Sequence, residues 1–267
     1  MLPGTHFLQN LVERRGLLFQ LVRRDFEQRF VGSAVGWVWG IIHPLAMLAS
    51  WTFVFSVCLH TKLDRGEVTD NYPLFLFAGM LPWLLFSDTV QRSSSSLLDH
   101  AGLITKTVFP AEMVPVSIFL SSLVSHLMAL GLVVAAVGIW LNQISAGLMV
   151  LPLYMLLLGM FAIGFGWILS SLQVYLRDTT QVLSVILTFW FWLTPIFITE
   201  RHFPVWARFL LAGNPLAYLV RGYREALLSG KWPGLADLGI LALFALATFV
   251  AGGLFFRHMK RGFADVL

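Results

Sequence analysis

The chain has 267 residues, of which 58% are hydrophobic and only 12% are charged, and its mean hydropathy is +0.79. An ordinary soluble domain is roughly 45–50% apolar and about 25% charged, so this composition indicates an integral membrane protein and excludes a large soluble catalytic domain. The single cysteine, Cys58, excludes an intrachain disulfide framework and a multi-cysteine metal cage. The formal net charge of +4 is spread over loops and ends, which is typical of membrane topology and gives no reason to expect a nucleic-acid partner.

Residues 1–34 are predicted to form a cytoplasmic amphipathic helix. Between residues 11 and 30, apolar side chains recur mostly every four positions, while charged side chains take the other faces. This pattern is typical of a helix that lies at the membrane surface. Two uses of the helix stay open: a basic anchor that holds the amino terminus inside, or a docking or gating helix beside a lateral entrance.

Six apolar runs predict an all-α membrane domain at residues 35–256, followed by a cytoplasmic tail at 257–267. The predicted spans lie at approximately residues 35–59, 72–86, 114–141, 148–175, 182–198 and 238–256. The chain turns polar at residues 87–96, which predicts that the second span enters water there. Residues 97–113 are then expected to form a compact element on the solvent side, on which a partner pushes. Glycines in the fourth span, among them Gly164, are predicted to let neighbouring helices approach closely.

The connection at residues 199–237 is predicted to contain short re-entrant helices between the fifth and sixth spans. Its two semi-apolar pieces, 203–211 and 215–228, are each too short to cross a bilayer core of about 30 Å. Such pieces are tolerated at membrane depth where protein or a water-filled cavity covers their backbone. The distribution of Lys and Arg near the span ends places both termini in the cytoplasm.

Several segments together resemble the permease subunits of type-2 ABC exporters that move polysaccharides. The segments that carry the resemblance are RRDFEQRFVGSAVGWVWGIIHPLAML, YPLFLFAGMLPWLLFSDTVQRSSSSLL, GLITKTVFPAEMVPVS, GNPLAYLVRGYREALLSG and the tail FADVL. They cover essentially the whole chain, in order and at the expected spacing. The sequence of these segments is most similar to the O-antigen and teichoic-acid branch of these permeases, and the capsule branch stays open.

The resemblance implies a homodimer of this chain that works with two copies of a separate ATP-binding subunit. The expected substrate is a lipid-pyrophosphate-linked polysaccharide that leaves from the cytoplasmic side of a bacterial inner membrane. The chain itself contains no GxxxxGK[ST] motif, since SGKW at residues 229–232 lacks the upstream glycine and the following hydroxyl that would cradle a nucleotide. Mg-ATP is therefore expected in the partner subunit, and this chain is expected to have no cofactor, no metal and no catalytic residue of its own.

The resemblance also assigns roles to three parts of the chain. Residues 11–30 correspond to an interface helix, residues 97–113 contain a coupling helix for the ATPase, and residues 203–228 contain gate helices at the outer mouth. The predicted coupling residues are Leu103, Lys106, Phe109, Pro110 and Glu112. The predicted outer-gate residues are Arg208, Asn214, Pro215, Tyr218, Arg221, Tyr223 and Arg224. By the same resemblance, the channel lies between the two copies and is lined mainly by the first and fifth spans.

Aromatic and basic residues suggest how the substrate is held. A sliding polysaccharide favours aromatic faces that stack on sugar rings and polar groups that exchange hydrogen bonds. The channel candidates are Trp37, Trp39, His43, Trp190, Trp192 and Phe197, with a membrane aromatic belt or plain packing as the alternative. The candidates for the lipid pyrophosphate are Arg23, Arg24 and Arg29, because arginine pairs with phosphate oxygens through two donors. Contact with bulk anionic lipid is the alternative for these arginines.

Three other functions have less support in the sequence. A secondary transporter usually holds buried ionisable residues at mid-membrane, whereas these spans are almost free of charge, and Asp88 and Arg92 lie near a span end. An intramembrane enzyme would need clustered acids or a nucleophile with a base, and the histidines here are scattered without metal spacing. An ABC exporter of drugs or lipids stays open as a neighbouring class.

Overall fold

A computed structural model of the chain describes residues 13–61, 63, 67–106, 109–141, 146–230 and 232–266. Within these ranges the chain is helical and contains no strand, which confirms the predicted all-α class. In chain order the helices are α1 Arg15–Gln28, α2 Trp39–Thr52, α3 Tyr72–Asp99, α4 Ala101–Lys106, α5 Met113–Trp140, α6 Leu151–Tyr175, α7 Thr179–Leu193, α8 Arg208–Ala212, α9 Pro215–Arg224, α10 Leu235–Met259 and α11 Phe263–Val266. Short 3₁₀ or π-helical turns continue several of them.

Five helical segments are long and apolar enough to cross a membrane, judged by length and composition. They are Gly36–Cys58, Tyr72–Asp99, Met113–Trp140, Ala146–Tyr175 and Leu235–Gly262. These segments match the first four predicted spans and the last one in position. The predicted tail at 257–267 is helical in its described part, because the last segment continues past the predicted end of the sixth span.

The fifth predicted span is shorter than expected. Helix α7 has 15 residues, and at 1.5 Å per residue it is about 22 Å long, short of the roughly 30 Å bilayer core. The helix ends at Leu193 because Thr194 is extended (φ −91°, ψ 133°) and precedes Pro195, whose ring disfavours a helical residue before it. Residues 194–199 therefore continue as irregular backbone.

The polar stretch at residues 87–96 is only partly open to water, so the prediction that it enters water is wrong for its buried side chains, whereas Asp88 is 40% exposed. Helix α3 is continuous over 28 residues, and Ser93, Ser94 and Ser96 are almost fully buried among the other helices. Their hydroxyls are compatible with burial because they can bond to the backbone of the preceding turn. Ser94 Oγ donates to the carbonyl of Gln91 at 2.6 Å, and Ser96 Oγ donates to that of Ser93 at 2.7 Å.

The core is built around α3, which packs against α5, α6 and α9. Helices α6 and α10 meet at their backbones: a Cβ atom on Gly252 would lie 2.2 Å from the carbonyl oxygen of Gly164. A Cβ atom on Gly164 would in turn lie 2.5 Å from the carbonyl oxygen of Thr248. Small residues thus allow close helix approach here, which confirms the prediction for Gly164.

Helix α1 lies against α5. It occupies the described part of the predicted amphipathic segment, whose residues 11 and 12 lie outside the described ranges. Its inward side differs from the predicted apolar stripe, because Leu21 is its buried residue and the charged side chains of Asp25 and Arg29 are only 17% exposed. Charged residues can lie on this side because oppositely charged partners face them from α3.

The long connection contains two short helices, as expected from its two semi-apolar pieces. Helix α8 is mostly exposed, whereas every residue of α9 except Arg221 is buried. Asn214 begins the second helix, since its side-chain oxygen accepts a hydrogen bond from the backbone N–H of Leu216 at 3.1 Å. Burial of α9 against α3 places the outer-gate candidates of this helix inside the helical bundle and not on a separate hairpin, whereas Arg208 lies on the exposed α8.

Candidate functional site

The first helical segment and α7 present exposed aromatic surface. No residue of the segment Gly36–Cys58 is buried inside the chain. Trp37 is 56% exposed, Trp39 is 48% exposed and His43 is also exposed. On α7, Trp192 is 59% exposed. An apolar surface of this size faces lipid or a partner molecule.

The other two channel candidates lie inside the chain. Phe197 is 5% exposed, and its ring stacks on Phe55 with 4.7 Å between the ring centroids. Trp190 is partly buried, and its indole N–H donates to the side-chain oxygen of Asn214 at 2.9 Å. These two residues anchor the end of α7 in the bundle, whereas Trp37, Trp39 and Trp192 keep exposed faces.

Ring contacts place the first segment beside the end of α7. Trp51 lies 5.1 Å from Phe197 and 5.3 Å from Phe191, measured between ring centroids. Trp192 stacks on Phe197 at 5.2 Å. The predicted first and fifth spans are therefore neighbours, and their outward faces carry the exposed tryptophans.

Arg224 is buried beside the irregular backbone that follows α7. It is 5% exposed and donates to three backbone carbonyls, those of Phe75 at 3.1 Å, Pro195 at 2.7 Å and Ile196 at 2.5 Å. Two of these carbonyls belong to the irregular backbone after α7, where helical hydrogen bonds are missing. Such backbone is tolerated at membrane depth when protein groups satisfy it, and Arg224 supplies that function.

Arg221 links α9 to two other parts of the chain, at Glu200 and at Asp237. Its Nε and Nη2 donate to the two carboxylate oxygens of Glu200 at 3.0 and 2.6 Å, and its Nη1 donates to Asp237 at the start of α10. Burial lowers the pKa of Arg221, but the hydrogen bonds and charges of Glu200 and Asp237 outweigh it, and the net direction of the pKa is upward. These contacts of Arg221 fix α9 relative to the turn at Glu200 and to the start of α10.

The other outer-gate candidates differ in exposure and in hydrogen-bond partners. Arg208 is exposed, and Pro215 is the first residue of α9. Tyr218 donates its hydroxyl to the carbonyl of Ala212 at 3.0 Å. Tyr223 is fully buried, with its hydroxyl 3.2 Å from Nε2 of His126 on α5. Tyr218 and Tyr223 therefore hold α9 in the bundle.

The three arginines predicted to bind the lipid pyrophosphate are not equivalent. Arg23 donates to Glu27 on its own helix at 2.8 Å, and both side chains are exposed. Arg24 is exposed. Arg29 is half-buried, and its Nη2 lies 3.1 Å from Asp88 and donates to Ser122 at 2.8 Å. The structure therefore does not bring the three arginines together as one phosphate site.

The predicted coupling segment contains helix α4 and the turn before α5. Leu103 is 36% exposed, and Phe109 is half-buried next to a buried Pro110. Lys106 ends α4, and its side chain lies outside the described part of the chain. Glu112 faces the carboxyl-terminal tail, because Lys260 donates to its carboxylate at 2.6 Å.

Six charged residues that were not predicted as site residues have a role in the structure: five of them pair with a predicted site residue, and Arg92 pairs with Asp25 and Asp88. They are Asp25, Asp88, Arg92, Glu200, Asp237 and Lys260. A sequence signal exists for the first three, since DFEQR and DTVQR each place an acid four residues before a base. Among the described residues, no group of three or more His, Cys, Asp or Glu could hold a metal ion.

Comparison with known proteins assigns the family. The ABC-2 type transporter family model matches residues 16–228. The O-antigen export system permease protein RfbA of Myxococcus xanthus is 28% identical over 261 residues, which are 97% of this chain and 98% of that protein. A protein of the same name from Klebsiella pneumoniae is 25% identical over 252 residues, with 94% and 95% covered.

A second group of relatives is named for the transport of another polysaccharide. The polysialic acid transport protein KpsM of Escherichia coli is 25% identical over 240 residues, which are 89% of this chain and 91% of that protein. The family match covers most of the chain and ends at residue 228, shortly after α9. The chain is therefore a member of the ABC-2 type transporter family.

Proposed function

We propose that this chain is the channel-forming permease of an ATP-driven exporter that carries a lipid-linked, O-antigen-like polysaccharide across the cytoplasmic membrane. The observation that carries the proposal is the similarity to an O-antigen export permease over 97% of the chain. The exposed aromatic face of the first segment and α7 supports it, because Trp37, Trp39 and Trp192 offer flat surfaces for sugar rings.

The functional unit is a homodimer with two ATP-binding subunits. Two copies that bring their aromatic faces together would enclose a channel between them. This arrangement also explains why the membrane segment Gly36–Cys58 has no residue that is buried within one chain. Mg-ATP binds in the partner subunits, and this chain supplies no residue to the hydrolysis.

Both termini lie in the cytoplasm, and the chain crosses the inner membrane six times. Asp25 near the amino terminus pairs with Arg92 near the end of α3, and Lys260 near the carboxyl terminus pairs with Glu112 at the start of α5. Both pairs lie at the end of the bundle that carries α4, which supports an even number of crossings. The fifth crossing, which brings the number to six, consists of α7 and the irregular residues 194–199, since extended backbone adds up to about 3.3 Å per residue. Helices α8 and α9 then lie at the depth of the outer leaflet as re-entrant gate helices.

The lipid pyrophosphate meets Arg23 and Arg24 at the inner interface. Both side chains are exposed on α1, whereas the Nη2 donor of Arg29 is occupied by Asp88 and Ser122. Arginine is suited to phosphate through its paired donors. Helix α4, with Leu103 on its exposed side, is the element on which the ATP-binding subunit pushes.

Two other substrates are compatible with the same architecture. The relative named for polysialic acid transport supports a capsular polysaccharide as the alternative, and a teichoic acid belongs to the same chemical class. A drug or lipid exporter would need an apolar binding site and no sugar-stacking surface. Glycan-dependent turnover separates these cases.

The test is ATP turnover by this chain, purified in nanodiscs with the ATP-binding subunit from the same organism. We expect a stable four-subunit complex whose turnover changes when a lipid-pyrophosphate-linked glycan is added. A chain that binds no ATPase would contradict the proposal. So would a complex that is indifferent to glycans but responds to drugs or simple lipids.

A further inference from the structure

Two copies of the same charge pattern meet at the inner side of the bundle. The first, DFEQR at residues 25–29, ends α1, and the second, DTVQR at residues 88–92, lies in the second half of α3. In each copy an Asp precedes an Arg by four residues, so both side chains lie on one face of the helix. The two copies run in opposite directions, and each Asp meets the Arg of the other copy.

The pairing between α1 and α3 is reciprocal. Arg92 donates to Asp25, and Arg29 Nη2 lies 3.1 Å from Asp88 Oδ2. Ser122 of α5 joins the second pair, because its hydroxyl accepts from Arg29 at 2.8 Å and donates to Asp88 at 2.6 Å. We call Asp25, Arg29, Asp88 and Arg92 the charge clasp. Its formal charges sum to zero, which suits a partly buried position near the membrane.

Each residue of the charge clasp also has a second partner on its own helix. Arg29 Nε lies 3.7 Å from Asp25 Oδ2, and Arg92 Nη1 lies 3.9 Å from Asp88 Oδ2. Among the described residues, Asp25 Oδ2, Arg29 Nε and Arg92 Nη1 are buried without a hydrogen bond. If α1 moved away from α3, each Asp could pair with the Arg of its own helix. The clasp can therefore open without leaving a charge unpaired.

The position of the charge clasp connects two functional elements. Helix α3 continues from Arg92 to Asp99, and α4 begins at Ala101 after a single intervening residue. A continuous helix transmits a displacement along its axis, so a movement of α4 reaches Arg92 over about 10 Å of helix. Arg92 and Asp88 then pass the movement to α1, which carries the exposed Arg23 and Arg24.

We propose that the charge clasp holds α1 to α3 reversibly and carries the movement of α4 to the helix where the substrate head group enters. Asp25, Arg29, Asp88 and Arg92 are thus positioning residues for export and do not contact the glycan. The role of α4 and the entry at α1 rest on the proposed function above, whereas the holding of α1 by α3 does not.

The test exchanges the charges of one helix at a time. Asp25→Arg with Arg29→Asp reverses α1, and Asp88→Arg with Arg92→Asp reverses α3. Each double variant keeps a neutral pair on its own helix and the net charge of the chain, but it places like charges opposite each other between helices. The combination of all four changes restores opposite charges across the contact, and Ser122 can still donate to one side and accept from the other.

Hydrogen–deuterium exchange of α1 amides in nanodiscs gives the first readout. We expect about tenfold faster exchange in each double variant and a return to the wild-type rate in the fourfold variant. Exchange in α6 reports whether the bundle is still folded. The exposed pair is the matched control, since Arg23→Glu with Glu27→Arg should leave α1 exchange unchanged. Unchanged exchange in the double variants, or no recovery in the fourfold variant, would overturn the clasp.

Glycan exported per ATP hydrolysed, measured in the assembled exporter, gives the second readout. If the charge clasp were merely structural, its loss would lower glycan export and ATP hydrolysis together. We expect instead that the double variants keep most ATP hydrolysis and lose most glycan export. The fourfold variant should recover the ratio. A wild-type ratio in double variants with fast α1 exchange would overturn transmission through the clasp. A wild-type complex without glycan export would contradict the proposed function, and the exchange experiment would still decide whether the clasp exists.

Discussion

Gly79 of α3 faces the guanidinium of Arg224 so closely that a Cβ atom on Gly79 would lie 2.6 Å from Nη2. Arg224 cannot move aside freely, because its nitrogens donate to the carbonyls of Phe75, Pro195 and Ile196. The contact therefore fixes how near α9 lies to α3, and with it the position of the irregular backbone after α7.

The substitution Gly79→Ala should destabilise the protein. Alanine gains up to about 1 kcal/mol of helix propensity over glycine, but overpacking a core costs about 1–3 kcal/mol and a broken bond to a charged donor about 1.5–3 kcal/mol. We expect a net loss of roughly 2 kcal/mol, seen as a lower midpoint of thermal unfolding in detergent. Gly239→Ala in α10 is the control, because a Cβ atom there meets nothing within 4 Å. Equal midpoints for the two variants would contradict this account of Gly79.

Trp190 and Trp192 should respond differently to replacement by alanine. Trp190 packs on Phe86 with 5.3 Å between ring centroids and donates to Asn214, so its loss should cost about 3–5 kcal/mol of folding free energy. Trp192 is 59% exposed, and its replacement should cost less than about 1 kcal/mol while reducing glycan export. Unfolding midpoints and export are measured on both variants. Normal export by a folded Trp192→Ala variant would remove this residue from the channel.

Glu112 and Lys260 should matter more for export than for stability. Their side chains are 19% and 41% exposed, and ion pairs of this kind contribute about 0–1 kcal/mol. Glu112→Gln should therefore insert and fold normally but export less, because the tail no longer holds the turn that follows α4. The exchange Glu112→Lys with Lys260→Glu should restore export. Full export by Glu112→Gln would contradict a role in coupling.

Arg221 should need its paired geometry and not only its charge. Lysine at this position keeps the charge but cannot reach Glu200 through two donors and Asp237 through a third. Arg221→Lys should therefore increase proteolysis or hydrogen exchange in residues 200–237. The exposed Arg208→Lys variant is the control and should behave as wild type. Identical protection in both variants would show that the charge alone is sufficient.

Patterns within single helices were predictable, whereas contacts between distant segments were not. Hydropathy located five membrane helices, and the glycines of the fourth span indicated the close contact at Gly164. The buried serines of α3 were predicted to lie in water because sequence hydropathy counts a hydroxyl as polar even where it bonds to its own helix. The early end of α7 depends on Pro195, which lies inside an apolar run that hydropathy alone extends to residue 198.

The pairing of charged residues required the three-dimensional arrangement. Arg29 carries the same charge as Arg23 and Arg24 in the sequence, and only the structure reveals Asp88 and Ser122 beside it. Arg224 likewise resembles a gate residue in the sequence but binds carbonyls that become free only because α7 ends early. Such roles arise from tertiary contacts, which local spacing does not encode.

The most direct test of the proposed export is glycan movement in inside-out proteoliposomes that contain this chain and its ATP-binding subunit. A lipid-pyrophosphate-linked glycan is added outside with Mg-ATP, and a glycosidase that cannot cross the membrane then digests what remains outside. We predict an ATP-dependent fraction that is protected from the glycosidase, and no protected fraction when ATP hydrolysis is blocked. Complete digestion with active ATP hydrolysis would contradict polysaccharide export by this chain.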